Sequence, residues 1–238
     1  MSRPPLVVSA GEPAGIGPEI AAKAWAALRS DLPFAWIGDP AHLPQGTPIE
    51  AVPNVRAAIE VAGRALPVLE RDFGPAAIPG TPNPAHAEHV IATIRDGAAL
   101  AKTGQAAALV TAPISKKALI DGAGFAFPGH TEFLADQAGV DRVVMMLAGP
   151  DLRVVPVTIH IPLADVPATL TIDLIVETVE VLARDLVARF GIGSPRIALA
   201  GLNPHAGEGG AMGREEIEVI APAIAALLNA LSIVGLLE

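Results

Sequence analysis

The sequence predicts an α/β fold, and three observations predict it. An apolar run near the start, Leu6 to Ala10, passes through the glycine loop Gly11-Glu12-Pro13-Ala14-Gly15-Ile16-Gly17 into a helix opened by Pro18. A second run, Ala106 to Val110, has the unbroken apolar character of a strand buried on both faces and delivers Thr111-Ala112-Pro113-Ile114-Ser115-Lys116-Lys117 at its C-terminal end. A third, Arg196 to Ala200, leads through a glycine-rich loop to the helix start Arg214-Glu215-Glu216-Ile217. Repetition of apolar strand, loop and helix is the alternation of an α/β sheet, in which ligands bind at the C-terminal strand edge.

The elements follow in order. The first helix runs through Glu19, Ile20, Ala24 and Leu28, and a short strand, Phe34 to Gly38, ends at Asp39-Pro40. From His42 to Pro84 prolines are dense and periodicity is poor, so this stretch reads as loops and short strands making an excursion from the main sheet. From Ala85 to Gly104, His86, Val90, Ile94 and Ala98 recur at near-helical spacing, with His89 one residue off that line; both histidines read as surface or interface residues rather than ligands. At Lys116 and Lys117 a phosphate contact and two solvated lysines at a helix start are both open. Phe127-Pro128-Gly129-His130-Thr131-Glu132 then enters another helix, where Thr131 is either an anion-binding hydroxyl or a plain N-cap. Two strands, Arg142 to Ala148 and Leu152 to Ile159, are expected around the turn Gly149-Pro150-Asp151, the second ending at His160. The stretch Ile172 to Arg189 is an amphipathic helix stopped by Gly191 and Gly193.

Composition narrows the function. With 238 residues, 51% of them apolar, a sizeable core is available. A net charge of -9 argues against nucleic acid or an anionic membrane surface as partner. The absence of cysteine removes disulfides, thiolate zinc sites and cysteine nucleophiles. The opening apolar run is too short for a signal peptide, which reads as a cytoplasmic protein. The apolar stretch from Val219 to Leu237 is broken by Pro222, Asn229, Ser232 and Gly235 into a core helix and a strand-like end, Leu231 to Glu238, rather than a membrane span.

The chemistry concentrates in Gly201-Leu202-Asn203-Pro204-His205-Ala206-Gly207-Glu208-Gly209-Gly210-Ala211-Met212-Gly213. Its glycines permit backbone conformations closed to other residues and allow a ligand close to the main chain, and the helix behind offers free N–H groups. A Gly-rich surface turn with an incidental histidine is the plain alternative. Three histidines, His130, His160 and His205, each sit at an element end beside a proline or glycine, and alternation tends to bring such ends to one sheet edge. With no cysteine and many carboxylates, a site of His plus Asp or Glu suits Zn²⁺, Mn²⁺ or Co²⁺.

Four loops in this order, Gly11 to Glu19, Gly129-His130-Thr131-Glu132, Thr158-Ile159-His160-Ile161-Pro162-Leu163 and Gly201 to Gly213, resemble those of the 4-hydroxythreonine-4-phosphate dehydrogenase family of pyridoxal phosphate (vitamin B6) biosynthesis. The resemblance implies a two-lobed, three-layer α/β/α fold like that of isocitrate and isopropylmalate dehydrogenases, with lobes over 1-128 and 129-238. It also implies a homodimer, NAD as oxidant and a divalent metal (Zn²⁺, Mg²⁺ or Co²⁺). Such an enzyme oxidises the secondary alcohol of a phosphorylated hydroxy amino acid to a ketone, after which the carboxyl group leaves as carbon dioxide. Carried over by position, His130 and Thr131 are substrate-binding, His160 and His205 are metal ligands, and Gly207, Glu208, Gly209 and Gly210 contact the cofactor.

The sequence also departs from the family pattern. Relatives continue past the position of Glu238 through a third metal histidine and substrate-binding lysine, asparagine and arginine. Here no histidine follows His205 and no lysine or arginine follows Arg214. The expectation is therefore a chain lacking the C-terminal part of its first lobe, its activity uncertain. Related phosphorylated hydroxy acids such as threonate or erythronate 4-phosphate are the alternative substrates, and a non-catalytic remnant is the alternative from another class.

Overall fold

A computed structural model describes residues 4–230, and the chain divides into two compact units, one up to Asp141 and one from Arg142. The strand-like end expected at Leu231 to Glu238 lies outside the described residues.

The first unit is built on a five-stranded parallel sheet. Its strands are β1 (Leu6–Ser9), β2 (Phe34–Gly38), β3 (Ile49–Ala51), β4 (Leu66–Glu70) and β5 (Leu109–Val110), in the order β3-β4-β2-β1-β5. Between β1 and β2 runs α1 (Gly17–Leu28), with Pro18 in its first turn as expected. A single helical turn, α2 (Ala58–Val61), precedes β4, and α3 (Ala87–Lys102) precedes β5. Two further helices, α4 (Lys116–Ala123) and α5 (His130–Ala138), complete the unit.

The two-residue period of the strands sorts side chains into separate cores on the two sheet faces. Val8, Trp36, Leu66 and Val68 join a cluster with Trp25, Val90, Ile94, Leu119 and Phe133, whereas Val7 and Ile37 join Val55 and Ala106. The stretch from His42 to Pro84 is therefore no excursion: β4 pairs in register with β2, Trp36 opposite Val68, and β3 pairs with β4. Strands of three and five residues, the first lying between Pro48 and Pro53 and the second containing Pro67, carry too little periodicity to announce their place in the sheet. The inclusion of Phe133, which meets Phe125 edge-on at 5.4 Å, puts α5 with the first unit, whereas the expected division falls before Gly129.

His86 also departs from expectation. It is 1% exposed, and its Nε2–H donates to the Pro75 carbonyl oxygen at 2.7 Å, so it is a core residue; His89 is exposed and stacks on Phe73 at 5.1 Å. Its partner lies in an aperiodic loop, which no helical spacing reveals.

The second unit is organised by α7 (Ile172–Ala188), capped by the Thr171 hydroxyl, which accepts from the Leu174 N–H at 3.1 Å. The buried face of α7, with Ile175, Val179, Ala183 and Leu186, packs against Ile220, Ile224 and Leu227 of a π-helical turn (Glu216–Ile220) that runs on into α8 (Ala221–Ala230). A short helix, α6 (Val166–Thr169), precedes α7.

The expected strands of this unit are largely unmade among the described residues. Only β6 (Leu147–Ala148) and β7 (Arg153–Val154) pair, as an antiparallel hairpin. Arg196 to Ala200 forms no strand, Leu199 alone taking a bridge. A strand exists only where a neighbour satisfies its backbone, and Pro156 removes a donor just past β7. Both apolar runs instead wall a cavity of about 730 Å³, lined by Met146, Val157, Val179, Leu199 and Ile220 among others. Neither His160 nor His205 lines it. Among the described residues no helix is long and apolar enough to cross a membrane.

Candidate functional site

In the first unit, two loops meet at the C-terminal edge of the sheet where strand order reverses, β1 leading to β2 on one side and lying beside β5 on the other. This is where open α/β sheets place ligands. The loop after β1 turns at Gly11 with φ of 69°, and the Glu12 N–H donates to the Pro113 carbonyl in the loop after β5 at 2.8 Å. Glu12, 6% exposed, folds back so that its carboxylate accepts from the Ala14 N–H at 3.1 Å. The β5 loop ends at Ser115, whose hydroxyl caps α4.

His130 opens α5 within the same unit. Gly129 is the N-cap and no side chain caps the helix, so Thr131 stands in the first turn and is not the cap. His130 is half-buried, and its Nε2 is enclosed without a hydrogen-bond partner. Burial, and then the neighbouring Lys116 ammonium, push its pKa below the usual 6.5, so the ring is neutral at pH 7. Lys116 and Glu132 flank the loop: a Cβ built on Gly129 would lie 3.8 Å from Lys116 Nζ and 3.6 Å from Glu132 Oε2. Of the two lysines, Lys117 is taken by Asp121 at 2.7 Å, whereas Lys116 makes no ion pair among the described residues. A lysine beside a neutral imidazole at a helix start suits a phosphate or carboxylate.

The second unit holds His160, His205 and the glycine loop. His160 is exposed and adopts φ of 57°, a left-handed conformation that a non-glycine residue pays for in strain. The loop from Gly201 to Gly213 is shaped by a run of such residues, with φ of 45° at Ala206, 72° at Gly207, 42° at Glu208 and 64° at Gly209. Asn203 ties it internally, its Oδ1 accepting from the His205 N–H at 2.9 Å and its Nδ2 donating to the Met212 carbonyl at 3.3 Å. The His205 ring meets Glu208 through Nδ1 and Oε1 at 2.9 Å. A carboxylate only accepts, so Nδ1 carries the proton in the neutral ring and the Nε2 lone pair is left free, the arrangement a metal-bound imidazole takes.

That tautomer fits His205 to a divalent ion such as Zn²⁺ or Co²⁺. Among the described residues, however, no group of three or more His, Asp or Glu side chains is placed to hold a metal. His130 and Thr131 lie in the first unit; His160, His205 and Gly207 to Gly210 lie in the second.

Sequence reasoning missed one residue outright. Glu216, 8% exposed, accepts from the Leu202 N–H through Oε1 at 2.8 Å, while its Oε2 is enclosed beneath the loop. Nothing local distinguishes it from Glu215 beside it; both read as acidic residues of a helix's first turn.

A family model described as pyridoxal phosphate biosynthetic protein PdxA matches residues 23–237. The chain belongs to the PdxA family. A relative from Ruegeria sp. (strain TM1040), named 4-hydroxythreonine-4-phosphate dehydrogenase, is 57% identical over 211 residues, 89% of this chain and 65% of that protein. One of the same name from Roseobacter denitrificans is 56% identical over 224 residues, 94% of this chain and 69% of that one. The chain thus spans about two thirds of the length of these PdxA relatives. The crystal structure of a 4-hydroxythreonine-4-phosphate dehydrogenase from Klebsiella pneumoniae superposes with a TM-score of 0.85 at 32% identity, over 98% of this chain and 74% of that one. A terephthalate 1,2-cis-dihydrodiol dehydrogenase from Burkholderia xenovorans matches with a TM-score of 0.63 at 28% identity, over 98% and 72%. The fold class expected from the sequence is the one these PdxA structures share.

Proposed function

We propose that this chain serves the NAD-dependent oxidation and decarboxylation of 4-phosphohydroxy-L-threonine to 3-amino-2-oxopropyl phosphate in vitamin B6 biosynthesis, as part of a cytoplasmic homodimer. The observation that carries the reading is the identity of 57% to a relative named for that substrate.

In this reading Lys116, His130 and Thr131 receive the phosphorylated substrate, Lys116 by charge and neutral His130 by one N–H and one lone pair. In the second unit His160 and His205 would hold a divalent ion, which would supply a Lewis acid able to stabilise negative charge on an oxygen bound to it. Glu208 fixes the His205 ring with Nε2 outward, and Gly207, Gly209 and Gly210 would contact NAD, which would supply the hydride acceptor.

Co²⁺ titration of the wild type, His160→Ala and His205→Ala, with NADH formation from 4-phosphohydroxy-L-threonine alongside, tests the proposal. Binding lost in both variants supports it; binding indifferent to both overturns the metal assignment. The dihydrodiol dehydrogenase likeness shows that the fold also carries other substrates, so threonate and erythronate 4-phosphate belong in the same assay. Faster turnover of either would move the substrate assignment.

A further inference from the structure

Two non-glycine residues in left-handed conformations within one short loop, Ala206 and Glu208, persist only where surrounding structure over-determines them. Most bonds that shape this loop join its own residues, as Asn203 does with His205 and Met212. Among the described residues, one side chain from outside the loop hydrogen-bonds into it, and that is Glu216. It stands at the start of the π-helical turn, a wide turn that recurs at functional sites.

Its two oxygens reach two parts of the loop. Oε1 accepts from Leu202 at the entry. Oε2 lies against the middle, where a Cβ on Gly207 would come within 2.7 Å of it, and a Cβ on Gly201 would lie 3.2 Å from Oε1. The loop therefore closes over the carboxylate because these two positions lack side chains. Gly207 is two residues from His205, so displacing the carboxylate displaces the backbone that aims the imidazole.

We propose that Glu216 is a positioning residue for the His205 loop, its buried carboxylate spanning the base from Leu202 to Gly207 and fixing where the ring is presented. The positioning stands on the geometry alone; its consequence for metal affinity rests on the proposed role of His205.

The test compares Glu216→Ala, Glu216→Gln and Glu216→Asp in the full chain, by hydrogen exchange and by titration with Co²⁺ alone. Alanine removes the acceptor. Aspartate keeps the charge but is one methylene short of Leu202. Glutamine keeps an acceptor oxygen at full reach. The expected result is at least tenfold faster exchange across residues 201–213 in the Ala and Asp variants, with α7 unchanged and Gln close to wild type. Co²⁺ affinity should fall at least tenfold in step, with no further loss when Glu216→Ala is added to His205→Ala. Unchanged loop exchange in the Ala variant, equal acceleration in α7, or failure of Gln to rescue would each overturn the proposal. A wild type that ignores Co²⁺ while the exchange pattern holds would sink the metal reading and leave the positioning role standing.

Discussion

Gly11 and Pro113 meet so closely that a Cβ built on Gly11 would lie 2.6 Å from the Pro113 carbonyl oxygen, which also accepts from the Glu12 N–H at 2.8 Å. The contact joins the loops after β1 and β5 at the point where strand order reverses. Gly11→Ala adds a methyl group against backbone that cannot rotate away, at a φ of 69° that alanine resists. The variant should lose about 2 to 6 kcal/mol in urea unfolding, the sum expected of backbone strain and overpacking. A loss under about 0.5 kcal/mol, the range of an inert surface change, would mean that the two loops are not held together as described.

Acid should weaken the first unit through His42. Its ring meets Phe73 edge-on at 5.2 Å and lies 5.3 Å from that of His86. Burial, opposed by Asp39 and reinforced by His86, lowers its pKa from 6.5. A histidine with a lowered folded-state pKa favours the neutral form, so its contribution is complete above about 6.5 and drains away as pH falls through the folded value. His130 shifts the same way and acts with the same sign. Unfolding free energy measured from pH 7 to about 5, above the carboxylate range, should decline in the wild type and less steeply in His42→Gln. Equal slopes would remove His42 from the account.

How much of this was legible in the sequence depends on whether an element's partner is local. β1, α1, β2, α3 and α7 were readable because apolar period and Pro, Gly or Thr punctuation lie within the element itself, as with Pro18 in α1 and Thr171 at α7. β4 owes its place to pairing with β2, and β3 to pairing with β4, which short runs broken or flanked by proline do not encode locally. Arg196 to Ala200 shows the reverse: strong strand character but, among the described residues, no more than a bridge at Leu199, since propensity does not by itself supply a pairing partner. The site divides likewise. His205 stood out by its glycine loop, whereas Glu216 is defined by contacts with Leu202 and Gly207 that only folding creates.

The Glu208 contact should matter for affinity far more than for stability. The pair with His205 is exposed, and exposed pairs add little to folding. In the proposed metal site its role would be to hold the proton on Nδ1, and partners of this kind change metal affinity by about 10–100-fold. Glu208→Ala keeps the Cβ, and so the strained backbone, while removing the acceptor. Co²⁺ affinity should fall about tenfold, the lower end of that range, because the exposed ring retains water as a substitute partner. Titration calorimetry beside thermal melting decides it; an unchanged affinity would show that the ring needs no carboxylate.

His160 offers a sharper separation of stability from function. At φ of 57° its side chain opposes its own backbone, and no hydrogen bond or ion pair holds it among the described residues. Glycine adopts that conformation freely, so His160→Gly should leave the second unit as stable as before or stabilise it by about 1 kcal/mol, the difference between a side-chain-bearing residue and glycine in this region. His160→Ala keeps a Cβ and gains nothing. Both substitutions remove the imidazole, so both should abolish the His160-dependent part of Co²⁺ binding. A glycine variant more stable yet unable to bind would identify position 160 as a place where strain is retained for the sake of a ligand. A glycine variant that loses stability would show instead that the imidazole contributes to the fold, and the argument from strain would fail.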